Sequence, residues 1–207
     1  MDRSLVQTSV ALKLRMRMAR PPEKTSGPIG IFDSGWGGLS VWQSLVSALP
    51  GQSIVYVGDH RYLPYGSRTT AQIRDRALRI IGFLRGRGAK LVVVACNTAT
   101  IAGIDVYRAA YPGLPIIGVV PVIKTAAERT RTKKFIVLST DLTAKSSYQK
   151  QLVDQFASDC TVSMVGSSLL VPLIEAGETS SERIRKELLT VLGPYLHRGV
   201  DIVVLGC

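Results

Sequence analysis

The sequence has no apolar run of the roughly eighteen residues that a membrane-spanning helix needs; Pro115 and Pro121 interrupt the best candidate, around IIGVV. It has only three cysteines (Cys96, Cys160, Cys207) and two histidines, scattered without the paired spacing of a zinc site, so no metal is expected. An odd cysteine count with no C-x-x-C excludes a secreted disulfide scaffold and argues against a thiol-redox protein. The expected location is the reducing cytoplasm, away from membranes. Acidic residues are also scarce, 15 against 26 Lys and Arg, which leaves a net charge of +11. Aromatics make up only 6% and are not interleaved with the basic residues, so a solvated basic surface is expected rather than a nucleic-acid site.

What is present begins with a basic segment. Residues 1–27 carry six Lys and Arg against Asp2 and Glu23 and end in PPEKTSG, a turn-rich linker. Lys13, Arg15 and Arg17 break the apolar core that a signal peptide requires, so a disordered, dispensable extension is expected.

From Pro28 onward, strand-like runs alternate with helical patterns. IGIF (29–32), SIVYV (53–57), KLVVVA (90–95), PIIGV (115–119), KFIVLS (134–139), TVSMV (161–165) and DIVVL (201–205) read as strands. Between the second and third, Ile73, Ala77, Ile80, Ile81 and Leu84 fall on one helical face. Continuous apolar strands separated by helices predict an α/β fold with parallel sheets covered on both faces.

The pattern is written twice. RGAKLVVVAC (87–96) matches RGVDIVVLGC (198–207) at an offset of 111 residues; VGDHRYLP matches VGSSLLVP at 108, and IGIFDSG matches FIVLSTD at 106. Two similar parallel-sheet α/β domains related by pseudo-two-fold symmetry are therefore expected, residues 28–120 and 121–207. Cys96 and Cys207 end corresponding strands, where open parallel sheets gather functional groups. Two thiols would then face one cleft from opposite sides. Cys160 lies outside the repeat and suits a small core residue.

FDSGWGG (32–38) ends the first strand on an acid, a hydroxyl and three glycines. Such a loop can bring N–H groups to a carboxylate; no Gly-Lys-Ser/Thr follows, and Ser40 replaces the third glycine of a dinucleotide loop. Asp33 alone could equally be a helix cap.

FDSGWGGLSV, LPYGSRT (63–69), VVACNTAT (93–100), GVVPVIKTA (118–126), LVPLIEAG (170–177) and VVLGC together resemble the glutamate racemases, within the cofactor-independent aspartate/glutamate racemase family. The resemblance spans Pro28 to Cys207. It implies that Cys96 and Cys207 each work on one face of the glutamate α-carbon. Asp33 and Ser34 would touch the substrate amine and assist the first cysteine, and Glu175 would stand near the second. Tyr65, Gly66, Asn97, Thr98, Thr140 and Thr143 would bind substrate. It implies no cofactor, D-glutamate for peptidoglycan as the product, and is compatible with a homodimer.

In that family Thr-His-Tyr-Pro and further elements follow the second cysteine. Here Cys207 is the last residue. The resemblance thus implies an incomplete chain, inactive as it stands. A relative acting on aspartate, a hydantoin or a malonate, and a non-catalytic binding module, are the alternative readings.

Overall fold

The computed structural model describes residues 27–207, so the expected N-terminal extension lies, but for Gly27, outside the described residues. Seven strands appear among them, each where an apolar run predicts one. β1 (Ile29–Asp33), β2 (Ile54–Gly58), β3 (Leu91–Val94) and β4 (Ile116–Gly118) form a parallel sheet in the order β2-β1-β3-β4. β5 (Lys134–Ser139), β6 (Thr161–Gly166) and β7 (Ile202–Leu205) form a second, in the order β6-β5-β7. In both, the first strand sits in the middle with its two successors on either side. Parallel neighbours cannot be joined by a tight turn, so helices carry the crossovers.

The registers carry the repeat further than sequence identity does. Ile29 pairs with Ile54 and Leu91. Adding the three sequence offsets turns these into Phe135, Val162 and Ile202, and Phe135 pairs with Val162 and Ile202. Offsets read from weak sequence matches thus superpose one hydrogen-bond ladder on the other. The chain builds one three-stranded motif twice.

Eight helices follow in chain order: α1 (Leu39–Ala48), α2 (Thr70–Gly86), α3 (Asn97–Ala110), α4 (Ile123–Arg129), α5 (Asp141–Ala144), α6 (Ser147–Phe156), α7 (Leu170–Glu175) and α8 (Glu182–Leu196). Thr69 caps α2: its hydroxyl accepts from the Gln72 N–H while Gln72 returns a bond to the Thr69 N–H. The buried face of α2 is Ile73, Ala77, Ile80, Ile81 and Leu84, the stripe read from the sequence. That face packs with Phe32, Val92 and Val94 into the first unit's core.

A division at residue 120 falls between β4 and α4. Ile123, Ala126 and Ala127 of α4 join Phe135 and Val137 in the second unit's core. Leu142 and Tyr148, from the second unit, pack instead against the first core.

As expected, an apolar cluster covers each face of both sheets, but the cover thins at the edge of the second. Leu205 is 70% exposed and Val203 39%, while α1 exposes Leu39, Trp42 and Val46 and buries no residue. β7 pairs only with β5, and among the described residues little packs on these surfaces. An apolar strand read as fully buried by composition is here a half-covered edge.

Ile81 is fully enclosed. Ile81→Ala should cost about 2–5 kcal/mol in urea unfolding, as transfer and cavity terms add. A loss below about 1 kcal/mol would mean α2 is not anchored on the sheet through this face.

Candidate active site

Both sheets end their strands at one place. β1 and β3 of the first unit deliver Asp33 and Cys96; β5 and β7 of the second deliver Thr140 and Cys207. Where these strand ends meet, the contacts are made by small polar groups.

The FDSGWGG turn is organised around its acid. Asp33, only 5% exposed, accepts through Oδ2 from the N–H groups of Gly35 (2.9 Å) and Gly38 (3.1 Å). Gly38, not Asp33, occupies the N-cap position of α1, so the simple cap reading of Asp33 does not hold. The glycines are steric requirements. A Cβ on Gly38 would sit 2.6 Å from the Asp33 Cβ and 3.0 Å from the Tyr56 hydroxyl, and one on Gly35 would run into the Glu175 carboxylate. Tyr56 donates its hydroxyl to the Gly35 carbonyl at 2.8 Å. The loop does present N–H groups to a carboxylate from outside: Trp36 N–H meets both oxygens of Glu175, at 3.1 and 3.2 Å, across from α7.

Cys96 is the N-cap of α3, its sulfur accepting from the Ala99 N–H at 3.4 Å while the thiol donates to Ser34 Oγ at 3.5 Å. Burial, then the charge of Asp33, pushes this thiol up to about 11; the Ser34 and Ala99 hydrogen bonds pull the other way. Cys207 is exposed as a residue, yet its thiol lies within electrostatic reach of Cys96, Asp33 and Glu175. Burial, then Cys96 and Asp33, pushes it up to about 12. That direction does not rest on burial alone, since acidic neighbours act the same way. All three cysteines are free.

Thr98, Thr140 and Thr143 close a triangle of buried hydroxyls, with oxygens 3.2, 3.2 and 3.0 Å apart. One member comes from α3 and two from the β5–α5 junction, so the triangle bridges the units. Gly66 abuts it, since a Cβ there would lie 2.8 Å from the Thr140 Cβ. Asn97 holds a buried side-chain oxygen with no hydrogen-bond partner, an acceptor waiting for a donor.

Tyr65 is held from the first unit: its ring is buried in the core cluster that also contains Cys96, and its hydroxyl donates to Asp59 Oδ2 at 2.7 Å. Sequence reasoning missed Tyr56, and also His60, whose ring lies 4.2 Å from that of Trp36. Neither carries a pattern; each is found only by its contact with the glycine loop. Among the described residues no group of three or more His, Cys, Asp or Glu could hold a metal ion, and no helix is long and apolar enough to cross a membrane.

Chemically, the arrangement offers two thiols from opposite units, a hydroxyl cluster between them, a buried carboxylate beside one thiol and an unsatisfied amide oxygen.

The thiol environment is testable. Peptide-resolved alkylation of Cys96 by iodoacetamide should rise with pH toward an apparent pKa near 11, above the ordinary 9.0. Asp33→Asn should move the curve to lower pH, because removing a nearby negative charge favours the thiolate. Since the folded thiol keeps its proton longer than an unfolded one, its contribution to stability should decline as pH rises from 9.0 to about 11. A Cys96 curve centred at or below the ordinary value would contradict this electrostatic picture.

Residues 29–207 match the family described as Asp/Glu/Hydantoin racemase. The glutamate racemase of Pseudomonas paraeruginosa is 44% identical over 182 residues, 88% of this chain and 69% of that protein. That of Pseudomonas syringae pv. tomato is 44% identical over 180 residues, 87% of this chain and 66% of its own. The chain therefore spans about two thirds of the length of these relatives. Among solved structures, Escherichia coli glutamate racemase, in complex with L-glutamate and the activator UDP-MurNAc-ala, superposes with a TM-score of 0.77 at 36% identity, over 87% of this chain and 69% of that one. Glutamate racemase isoform RacE1 of Bacillus anthracis gives 0.79 at 29% identity, over 88% and 68%.

Proposed function

The chain belongs to the Asp/Glu/hydantoin racemase family, and from that premise we propose that it carries the two-thiol site of a glutamate racemase. The observation that supports this most is the hydroxyl triangle that joins Thr98, two residues past Cys96, to Thr140 and Thr143 of the other unit. Cys96 and Cys207 follow the ends of β3 and β7, the matched last strands of the repeated motif, which supports the same reading.

Inversion needs a base on one face of the α-carbon and an acid on the other. One cysteine, as thiolate, takes the α-proton; the other delivers its thiol proton to the opposite face. The product has inverted configuration, and the two sulfurs have exchanged protonation states. The reverse direction starts from the exchanged pair, so no net proton is gained or lost.

Burial, with acidic neighbours, holds the protons on both thiols. Substrate supplies the correction. An α-ammonium seated beside Asp33 and Cys96 adds a positive charge that favours the thiolate. The position of Cys96 at the start of α3, with the Ala99 N–H on its sulfur, favours it further. The developing carbanion spreads charge onto the α-carboxylate, which the threonine hydroxyls would meet as donors already in place. The orphan Asn97 oxygen suits the ammonium, which has only protons to offer. Asp33 has its oxygen Oδ2 taken by Gly35 and Gly38, which fixes it as a charge rather than a mobile base. D-glutamate made this way would serve peptidoglycan synthesis in the cytoplasm.

The test is exchange of the glutamate α-proton in D2O, followed by NMR without added cofactor. It uses this chain and one lengthened at its C-terminus by the corresponding segment of the Pseudomonas paraeruginosa relative. Exchange should appear in at least one of them and fall by about 10²-fold or more with Cys96→Ser, since a serine hydroxyl supplies almost no base at neutral pH. No exchange in either chain, exchange indifferent to Cys96→Ser, or an absolute need for pyridoxal phosphate would refute the two-thiol reading. Aspartate run in parallel decides between the substrates.

A further inference from the structure

Between the Tyr65–Ser67 turn and α2 lies a recess of about 290 Å³ whose lining includes neither thiol. Its walls include Tyr62, Arg68, Gln72, Arg76 and Arg79. We propose that this recess is a binding site for a small tetrahedral oxyanion of the phosphate kind, separate from the thiol cleft.

Three guanidinium groups converge here, and their charges are unequally spent. Arg76 is committed to Asp59 through Nε (3.0 Å) and Nη2 (2.7 Å), and lies 3.8 Å over the Tyr62 ring. Arg79 pairs with Asp75 at 2.9 Å, an exposed helix pair of the kind worth little in water. Arg68 uses Nε on the Tyr62 carbonyl at 3.2 Å and has no acidic partner among the described residues. Three cations against two carboxylates leave one positive charge in the wall. The remaining guanidinium N–H groups form planar forks, the donor geometry that fits phosphate oxygens.

The volume, at the lower end of small-ligand sites, admits a phosphate or a compact phosphate monoester but not a large cofactor. The recess is preorganised, because both flanks are fixed from behind. Asp59, which holds Arg76 and Tyr65, receives its own backbone position from a 2.9 Å bond between its N–H and the Asp33 carbonyl. Gly66, in the intervening turn, abuts Thr140. An anion bound to Arg68 would therefore brace the turn that borders the hydroxyl triangle, which is where an effector would need to act.

Inorganic phosphate is the probe. Titrated into the full 207-residue chain at constant ionic strength, it should shift the amide NMR signals of Tyr62, Arg68, Gln72 and Arg79 saturably. Arg68→Gln should weaken binding by about tenfold or more, and Arg68→Lys should restore only part, since an ammonium keeps the charge and loses the fork. Cys96→Ser should leave phosphate affinity unchanged. If Arg68→Gln fails to fold, the pattern of shifts in the unaltered chain decides alone. Shifts centred on Cys96, Thr98 and Thr140, equal affinity in Arg68→Gln, or no saturation by concentrations on the order of 10 mM would overturn the proposal.

Discussion

The buried carboxylate of Asp33 constrains everything around it. It lies at the end of the central strand of the first sheet, almost without water, and one of its oxygens is satisfied by two backbone N–H groups. A charge in that position must be paired or hydrogen-bonded to be tolerated. The turn that supplies the N–H groups must therefore curl back on the strand; only glycine fits at position 38 of the curl, and a side chain at 35 would displace the Glu175 carboxylate. Once curled, the turn points the Trp36 N–H at Glu175 of the second unit and the Gly35 carbonyl at Tyr56. The same charge raises the Cys96 and Cys207 thiols and the Tyr56 phenol. One carboxylate thus sets the loop's shape and its contact across the units, and adds to the burial that keeps both sulfurs protonated.

The second constraint is duplication. Two copies of a β-α-β-α-β pattern give each copy a carboxyl-end edge where polar residues follow an apolar strand. In the proposed two-thiol site each edge supplies half: Cys96 with Ser34 and Thr98 from one, Cys207 with Thr140 and Thr143 from the other. The hydroxyl triangle draws members from both, so the approach of the units and the composition of the site are one fact. A racemase has use for such symmetry, because the two faces of its substrate make mirror-image demands.

Much of the fold was legible in the sequence for a definite reason. Buried parallel strands are short apolar runs, and runs of that kind appear in all seven places; the α2 stripe reads off residue by residue. The repeat offsets even gave the register of the second sheet, because equivalent residues in a duplicated ladder stay paired. What stayed illegible depends on contacts distant in sequence. Nothing local to Glu175 says that it will meet the Trp36 N–H, 139 residues away. Nothing local to Tyr65 says that its phenol will donate to Asp59. The resemblance brought both to the site by loop, without saying where the side chains point. The exposure of Leu205 and Trp42 was illegible too, since an apolar residue reads as core until its neighbours are known.

The central claim is that one α-carbon sits between the sulfurs of Cys96 and Cys207. A crystal structure of the chain soaked with D-glutamate tests it most directly. The account predicts the α-carbon between the two sulfurs, one on each face, with the ammonium toward Asp33 and Asn97 and the α-carboxylate toward Thr98 and Thr140. Glutamate bound with both sulfurs on the same face of its α-carbon, or outside the thiol cleft altogether, would contradict it.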